Sequence, residues 1–383
     1  MPLTYANLHS IIVILGFISV YIAQVLYQFF PSVKLPLLSM FLVGTVAFIL
    51  NRKERLEIVI LLVCCLFFGS LLLIGGLVGS KGASENLMIV FFYFTGILGC
   101  FFSFKFELYF KLLKILILVN FCAMVYEFIT ISFILESTSE LNVFLGRARG
   151  VISYSKEAGS FILVFSILFI KELNVKWFPI LLSFAVLSGS RLAMLCVFST
   201  ICIEFFVRSK SRHFLSIKAI FASLFFIIPI SIGAYYYLMS AQSDIIVNRL
   251  YGALDTGHSS NALRISFWLQ HLDAYNDFDM LGLVFGDAGR AVSVVGNGAE
   301  NAFLNILTDG GVVALMIYLS AIFSMFFFLG SDLRTLLLLL LLLASMQISR
   351  VNIGFLDGTM FWAYFFYLFK QYCLDYSKKK FNL

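Results

Sequence analysis

In the stretch SSNALRISFWLQHLDAYND, four side chains recur at i, i+4, i+7 and i+11: Arg264, Trp268, His271 and Tyr275. On a helix they share one face, while Ile265, Leu269 and Leu272 share another. An aromatic ring can stack on a sugar, a guanidinium can reach a phosphate, and an imidazole can exchange a proton near neutral pH. Further on, ENAFLNILTDGG places Asn301, Asn305 and Asp309 at successive i+4 positions behind Glu300. The spacing predicts a polar stripe on one helix face, with Asp309 turned into the protein and Glu300 serving as a base or as the helix cap. Between the two, LGLVFGDAGR is a glycine-marked turn beside Arg290. His258, just before the first stretch, is a further proton-transfer candidate, so the available bases are Glu300, His271 and His258.

The elements that must position these groups follow from composition. Of 383 residues, 61% are hydrophobic and 13% charged, far from the usual near-half apolar and quarter charged. This is the composition of an integral membrane protein. The apolar runs suit helices crossing a hydrocarbon layer of roughly 30 Å rather than barrel strands. The expected fold is all-α, one polytopic membrane domain over 1–383. Twelve spans are expected, at 8–30, 35–50, 56–79, 87–104, 112–135, 158–170, 177–188, 192–207, 219–239, 301–329, 335–348 and 359–373. Spans six to eight are short enough to be broken or tilted. A helix at 259–276 should be capped by Ser259, Ser260 or Asn261.

Charge gives the orientation. With the amino terminus inside, seventeen of the 27 basic residues fall in inner loops and ten in outer ones. Seven of the ten outer residues are arginines, including Arg147, Arg149, Arg191, Arg264 and Arg290, against five of the seventeen inner ones. A guanidinium fork holds carboxylate or phosphate through paired bonds, which an ammonium does not. Two outer loops, 136–159 and 240–300, should carry the chemistry. Arg191 interrupts two apolar runs in VLSGSRLAMLC; at bilayer depth it would cost roughly 2.5 to 3.5 kcal/mol, so it needs an anion or an edge.

The seven cysteines all fall within spans, no Cys/His spacing suits a metal, and no Gly-rich phosphate loop occurs. Neither a metal, a nucleotide nor any other cofactor is expected, and no nucleic acid.

Four motifs carry a family resemblance: GRARGVISYSKEAG after the fifth span, SGSR ending at Arg191, LRISFW followed by FGDAG, and ENAFLNILTDGG entering a span. In this order and topology the chain resembles the O-antigen polymerases (Wzy) and O-antigen ligases of bacterial envelopes, over most of its length. The resemblance implies a GT-C-like glycosyltransferase of the inner membrane, both termini cytoplasmic, acting at the periplasmic face on undecaprenyl-diphosphate-linked oligosaccharide. It implies no metal, and a chain-length regulator and a flippase as pathway partners. By motif, Arg147, Arg149, Arg191 and Arg264 become candidates for gripping the diphosphate. The ligase pattern has histidine before the asparagine of the last motif, where this chain has Glu300, which favours a polymerase. The alternatives are a ligase of the same family or a lipid-linked oligosaccharide flippase.

Overall fold

The computed structural model describes residues 106–130, 148–152, 155–210, 259–287, 289–330 and 332–349, with 132, 134 and most of 357–372. The expected spans at 8–30, 35–50, 56–79, 87–104 and 219–239 lie outside the described residues, as do Arg147 and His258. Among the described residues the protein is all-helical. In chain order the helices are α1 (Phe106–Thr130), α2 (Ser155–Phe169), α3 (Phe178–Leu187), α4 (Arg191–Lys210), α5 (Ser259–Asn276), α6 (Met280–Phe285), α7 (Arg290–Val295), α8 (Ala302–Leu329) and α9 (Leu333–Ile348). Residues 360–365 and 367–369 are helical as well.

Two of these are long and apolar enough to cross a membrane, Tyr109–Thr130 in α1 and Ala302–Leu329 in α8. The short sixth to eighth runs of the sequence fold as α2, α3 and α4. Single turns of 3-10 helix, Ile170–Glu172 and Val175–Trp177, link α2 to α3. Pro179 in the first turn of α3 supplies a preset helical φ where no N–H partner is needed.

Side-chain contacts fix the direction of each helix. Phe110 near the start of α1 stacks on Phe165 near the end of α2, with centroids 6.1 Å apart, so the two run antiparallel. Lys156 at the start of α2 meets Glu300 just ahead of α8, and Lys171 beyond its end meets the Leu329 carbonyl at the end of α8. Those two helices therefore run together, and α4 joins them, because Ser190 just ahead of it abuts Gly159 of α2 while Glu204 near its other end is reached by Arg334. From α9 the chain returns, and the Ser349 carbonyl accepts the Ala302 amide. Ile117, Ile162, Phe165, Phe184, Val197, Ile306 and Leu342 form the buried middle. Tyr318 and Trp362 pack edge-on at 4.9 Å, with the indole N–H donating to the phenol oxygen.

The bundle thus has two polar ends. One gathers the end of α1, the starts of α2, α4 and α8, and all of α5 to α7. The other gathers Lys171, Glu204, Asp332 and Arg334. Lys156 and Lys171 are fifteen residues apart on α2 and its continuation, about 22 Å at 1.5 Å per helical residue.

Two details differ from the sequence expectations. The run at 112–135 is helical only to Thr130, where the Thr130 hydroxyl turns back to the Tyr126 carbonyl. The run at 301–329 is not one continuous helix: Gly311, at φ 69 and ψ −172, breaks it after Gly310.

Candidate functional site

Segment 148–152 is the floor of the first polar end. It has no regular structure to satisfy its backbone, and α1 supplies the acceptors. Oε2 of the buried Glu127 accepts both the Arg149 and Gly150 amides at 2.8 Å, while its Oε1 accepts the Ile134 amide at 3.1 Å. Asn120 Oδ1 accepts the Val151 amide at 2.9 Å. The Ala148 amide donates to the Leu187 carbonyl at 2.9 Å, tying the segment to α3. A carboxylate taking three backbone N–H groups replaces a missing helical turn. The Arg149 side chain is buried within this arrangement and reaches no solvent.

This docking delivers the first turn of α2, and with it Lys156. Lys156 Nζ lies 2.6 Å from Glu300 Oε1, and Arg264 Nη2 of α5 lies 3.8 Å from Glu300 Oε2. Three segments far apart in sequence thus share one carboxylate. Lys156 is 61% exposed, Arg264 34% and Glu300 28%, so the trio stands in reach of an incoming group. Two cations against one anion leave it a net positive charge. Among the described residues the Arg264 guanidinium makes no hydrogen bond, since 3.8 Å exceeds hydrogen-bonding distance. Glu300 adopts φ 54, in the left-handed region that residues other than glycine seldom occupy. It does not cap α8. That task falls to Asn301, whose Oδ1 accepts the Leu304 amide at 3.1 Å.

On α5 the face carrying Arg264, Trp268, His271 and Tyr275 turns toward the protein, and Ile265, Leu269 and Leu272 are the exposed side. His271 is fully buried, with Nε2 2.7 Å from the Asn297 carbonyl oxygen. A carbonyl only accepts, so Nε2 carries the proton and donates it. Tyr275 belongs to a small core with Ala274, Phe278 and Ala291, and its hydroxyl donates to the Leu283 carbonyl at 2.6 Å. Burial pushes its phenol above the usual tyrosine range. His271 and Tyr275 therefore hold α5 against the loop that ends at Glu300. Trp268 lies one turn from Arg264, and its buried indole N–H has no hydrogen-bond partner among the described residues.

The FGDAG turn closes the end by docking on the broken part of α8. The Asp287 amide donates to the Thr308 carbonyl at 3.0 Å, and the Gly289 amide donates to Asp309 Oδ1 at 3.1 Å. Arg290 donates to Asp287 Oδ2 at 3.3 Å and lies over the Phe278 ring at 5.2 Å, so it serves the turn itself. At Gly286 (φ 84) an added Cβ would fall 2.3 Å from the Asp309 carbonyl oxygen, and at Gly311 it would fall 2.3 Å from that of Val284. Only two glycines permit backbones this close. Asn301, Asn305, Thr308 and Asp309 are all buried along α8. Asn305 donates to the Asn301 carbonyl at 2.7 Å, and its own buried Oδ1 has no partner among the described residues.

Arg191 opens α4 at the same end, as the first residue of that helix. The serine turn before it is packed hard against α2, where a Cβ on Gly159 would meet that of Ser190 at 2.6 Å.

Of the sequence-derived candidates, Arg264 and Glu300 are brought together in the open. Arg149, His271, Tyr275, Asn301, Asn305 and Asp309 are buried, and Arg290 is engaged by Asp287. Sequence reasoning missed Lys156, although it stands within a quoted motif, and it missed Glu127 and Asn120. An acid inside an apolar run is the signal that would have flagged Glu127. Chemically, the open part of the site can hold a dianion through one fork and one point charge, with a carboxylate beside it. No protein-family model, curated protein or solved structure matches the chain.

Proposed function

We propose that the protein is a polytopic membrane glycosyltransferase, an O-antigen polymerase that moves a growing glycan from undecaprenyl diphosphate onto a lipid-linked repeat unit. The observation that carries this reading is the meeting of Lys156, Arg264 and Glu300 at one polar end of an apolar bundle. The leaving group would be a diphosphate, and the chemistry asks mainly for cations to meet its developing charge and a base for the acceptor hydroxyl. The acceptor oxygen bonds to the sugar's anomeric carbon, the bond from that carbon to the diphosphate oxygen breaks, and Glu300 takes the hydroxyl proton. Lys156 and Arg264 meet the charge left on the diphosphate. The bundle spans the bacterial inner membrane, about twelve times over the whole chain, with the site end on the periplasmic side.

The test is to incubate the purified full-length protein with a lipid-linked repeat unit. A ladder of longer glycans supports the reading, and unchanged substrate removes it. Orientation is tested separately: Ser293→Cys should react with an impermeant thiol reagent in cells with a permeabilised outer membrane, and Asn174→Cys should not.

One observation favours a second reading. A helix broken at Gly311, beside a buried polar stripe, is a feature of transporters, whose interrupted helices offer backbone groups to a substrate within the membrane. A flippase would move labelled lipid-linked oligosaccharide across a proteoliposome membrane without lengthening it.

A further inference from the structure

We propose that the Glu300 carboxylate is a displaceable occupant of the anion site made by Lys156 and Arg264: an arriving phosphate or diphosphate group takes its place and releases it. This rests on reading the site end as the place where a diphosphate docks. In the structure Glu300 is the one acid paired with either cation among the described residues, at 2.6 Å from Lys156 and 3.8 Å from Arg264. Exposed ion pairs are weakly held and exchange partners easily. A diphosphate brings more charge and more acceptor oxygens than a carboxylate, and its geometry suits the fork that Glu300 leaves unsatisfied.

Two further observations point the same way. Among the described residues the Arg264 guanidinium makes no hydrogen bond, and the buried Trp268 N–H one turn away has no partner. Donors for an anion are therefore in surplus on this face. Glu300 also sits at φ 54, a backbone position that an acidic residue keeps only while its surroundings hold it. Release of its side chain removes one of those holds. The consequence is a gated base. While the site is empty, Glu300 is engaged by its two cations, and when the diphosphate is seated it is free to face the acceptor hydroxyl.

The experiment titrates inorganic diphosphate into the full-length protein in phosphatidylcholine nanodiscs and measures the dissociation constant. Glu300→Gln removes the competing charge and should tighten binding by about three- to tenfold. Glu300→Gly should do the same while relieving the left-handed backbone, so a folding defect in the glutamine variant does not hide the result. Both gains should largely vanish when combined with Lys156→Ala. Unchanged or weaker binding in both Glu300 variants overturns the proposal. So does an equal gain with and without Lys156, which would mean a general field effect. Repeating the titration with phosphatidylglycerol discs separates the sources of phosphate: weaker diphosphate binding there supports occupation by bilayer headgroups, and unchanged binding supports diphosphate itself. The glycan-ladder assay is scored independently. A ladder with no Glu300 effect on binding sinks the exchange alone, whereas tighter binding with no ladder sinks the polymerase reading alone.

Discussion

The two polar ends of the bundle hold similar side chains in opposite states. At the far end, Glu204 is 1% exposed and takes a hydrogen bond from Arg334 at 3.2 Å, while Lys171 lies 3.7 Å from Asp332 and donates to the Leu329 carbonyl. Two acids balance two bases. At the near end, two bases share one acid, all of it partly open. Asp332 stands open at its rim, but the Glu204–Arg334 pair is buried, and buried, balanced charge is costly to disturb. Exposed and unbalanced charge contributes little to folding and leaves the fold able to accept an anion. The same inventory therefore makes a staple at one end and a candidate site at the other, and burial with stoichiometry decides which.

The widest expected gap is in stability. Arg334→Ala should destabilise by about 3 kcal/mol, because it takes from the buried Glu204 the arginine that hydrogen-bonds it, while Lys156→Ala should cost under about 1 kcal/mol. Thermal unfolding of the purified protein checks both, and similar losses at the two ends would break the contrast. Replacing the buried pair together, Glu204→Leu with Arg334→Met, should recover most of the loss.

His271 offers the next largest effect. His271→Ala leaves the Asn297 carbonyl without its donor and opens a void, for about 2 kcal/mol of stability. Glycan synthesis per folded molecule should hold. A complete loss of synthesis in protein that remains folded would return His271 to the proton-transfer role.

Arg264 should show the reverse pattern. Arg264→Lys keeps the charge but loses the fork, so diphosphate binding should weaken by about tenfold, nearly as far as in Arg264→Ala, with unfolding temperature little changed. Full binding by the lysine variant would reduce Arg264 to a source of field.

The smallest effect concerns acid. Burial pulls the Asp332 carboxyl upward, but hydrogen bonds from Thr335 and the charges of Lys171 and Arg334 outweigh it and hold the group below its ordinary 3.8. A depressed carboxyl stabilises the fold above that value and ceases to as pH falls through the folded value. Asp332→Asn should therefore make the acid-side decline in unfolding temperature shallower. Lys171 is shifted down chiefly by burial, so across the range between its folded and ordinary values stability rises with pH. An acid limb unaltered in Asp332→Asn would show that Asp332 is not held in this way.

What the sequence disclosed and what it withheld divide along range. The 3.6-residue period found α5, the shared face from Arg264 to Tyr275, and the stripe from Asn301 to Asp309, because each is a property of one helix. It did not say which way α5 faces, and hydrophobicity alone would have buried Ile265 and Leu269 instead. The pairing of Lys156 with Glu300 spans 144 residues and leaves no local trace. The break at Gly311 was hidden because its apolar neighbours read as one long run. Glu127 and Glu204 were visible as acids in apolar surroundings, but their partners, a loop's backbone amides and a distant arginine, are chosen only by tertiary packing.

The contact between Gly286 and Gly311 has a further consequence. Main chain there lies on main chain, and that contact itself involves no side chain. The cap and the helix beneath it mesh like a key in a slot, aligned by two small residues. Side chains on the outward surfaces of the cap can then be exchanged wholesale, recasting whatever the end of the bundle recognises without shifting the carboxylate and cations below. A donor loop grafted between Asn276 and Glu300 needs to keep the glycine that enters the slot and the faces buried against α5 and α8, Phe278 and Ala291 among them. Any displacement of that loop would reach the upper half of α8 as a rigid movement.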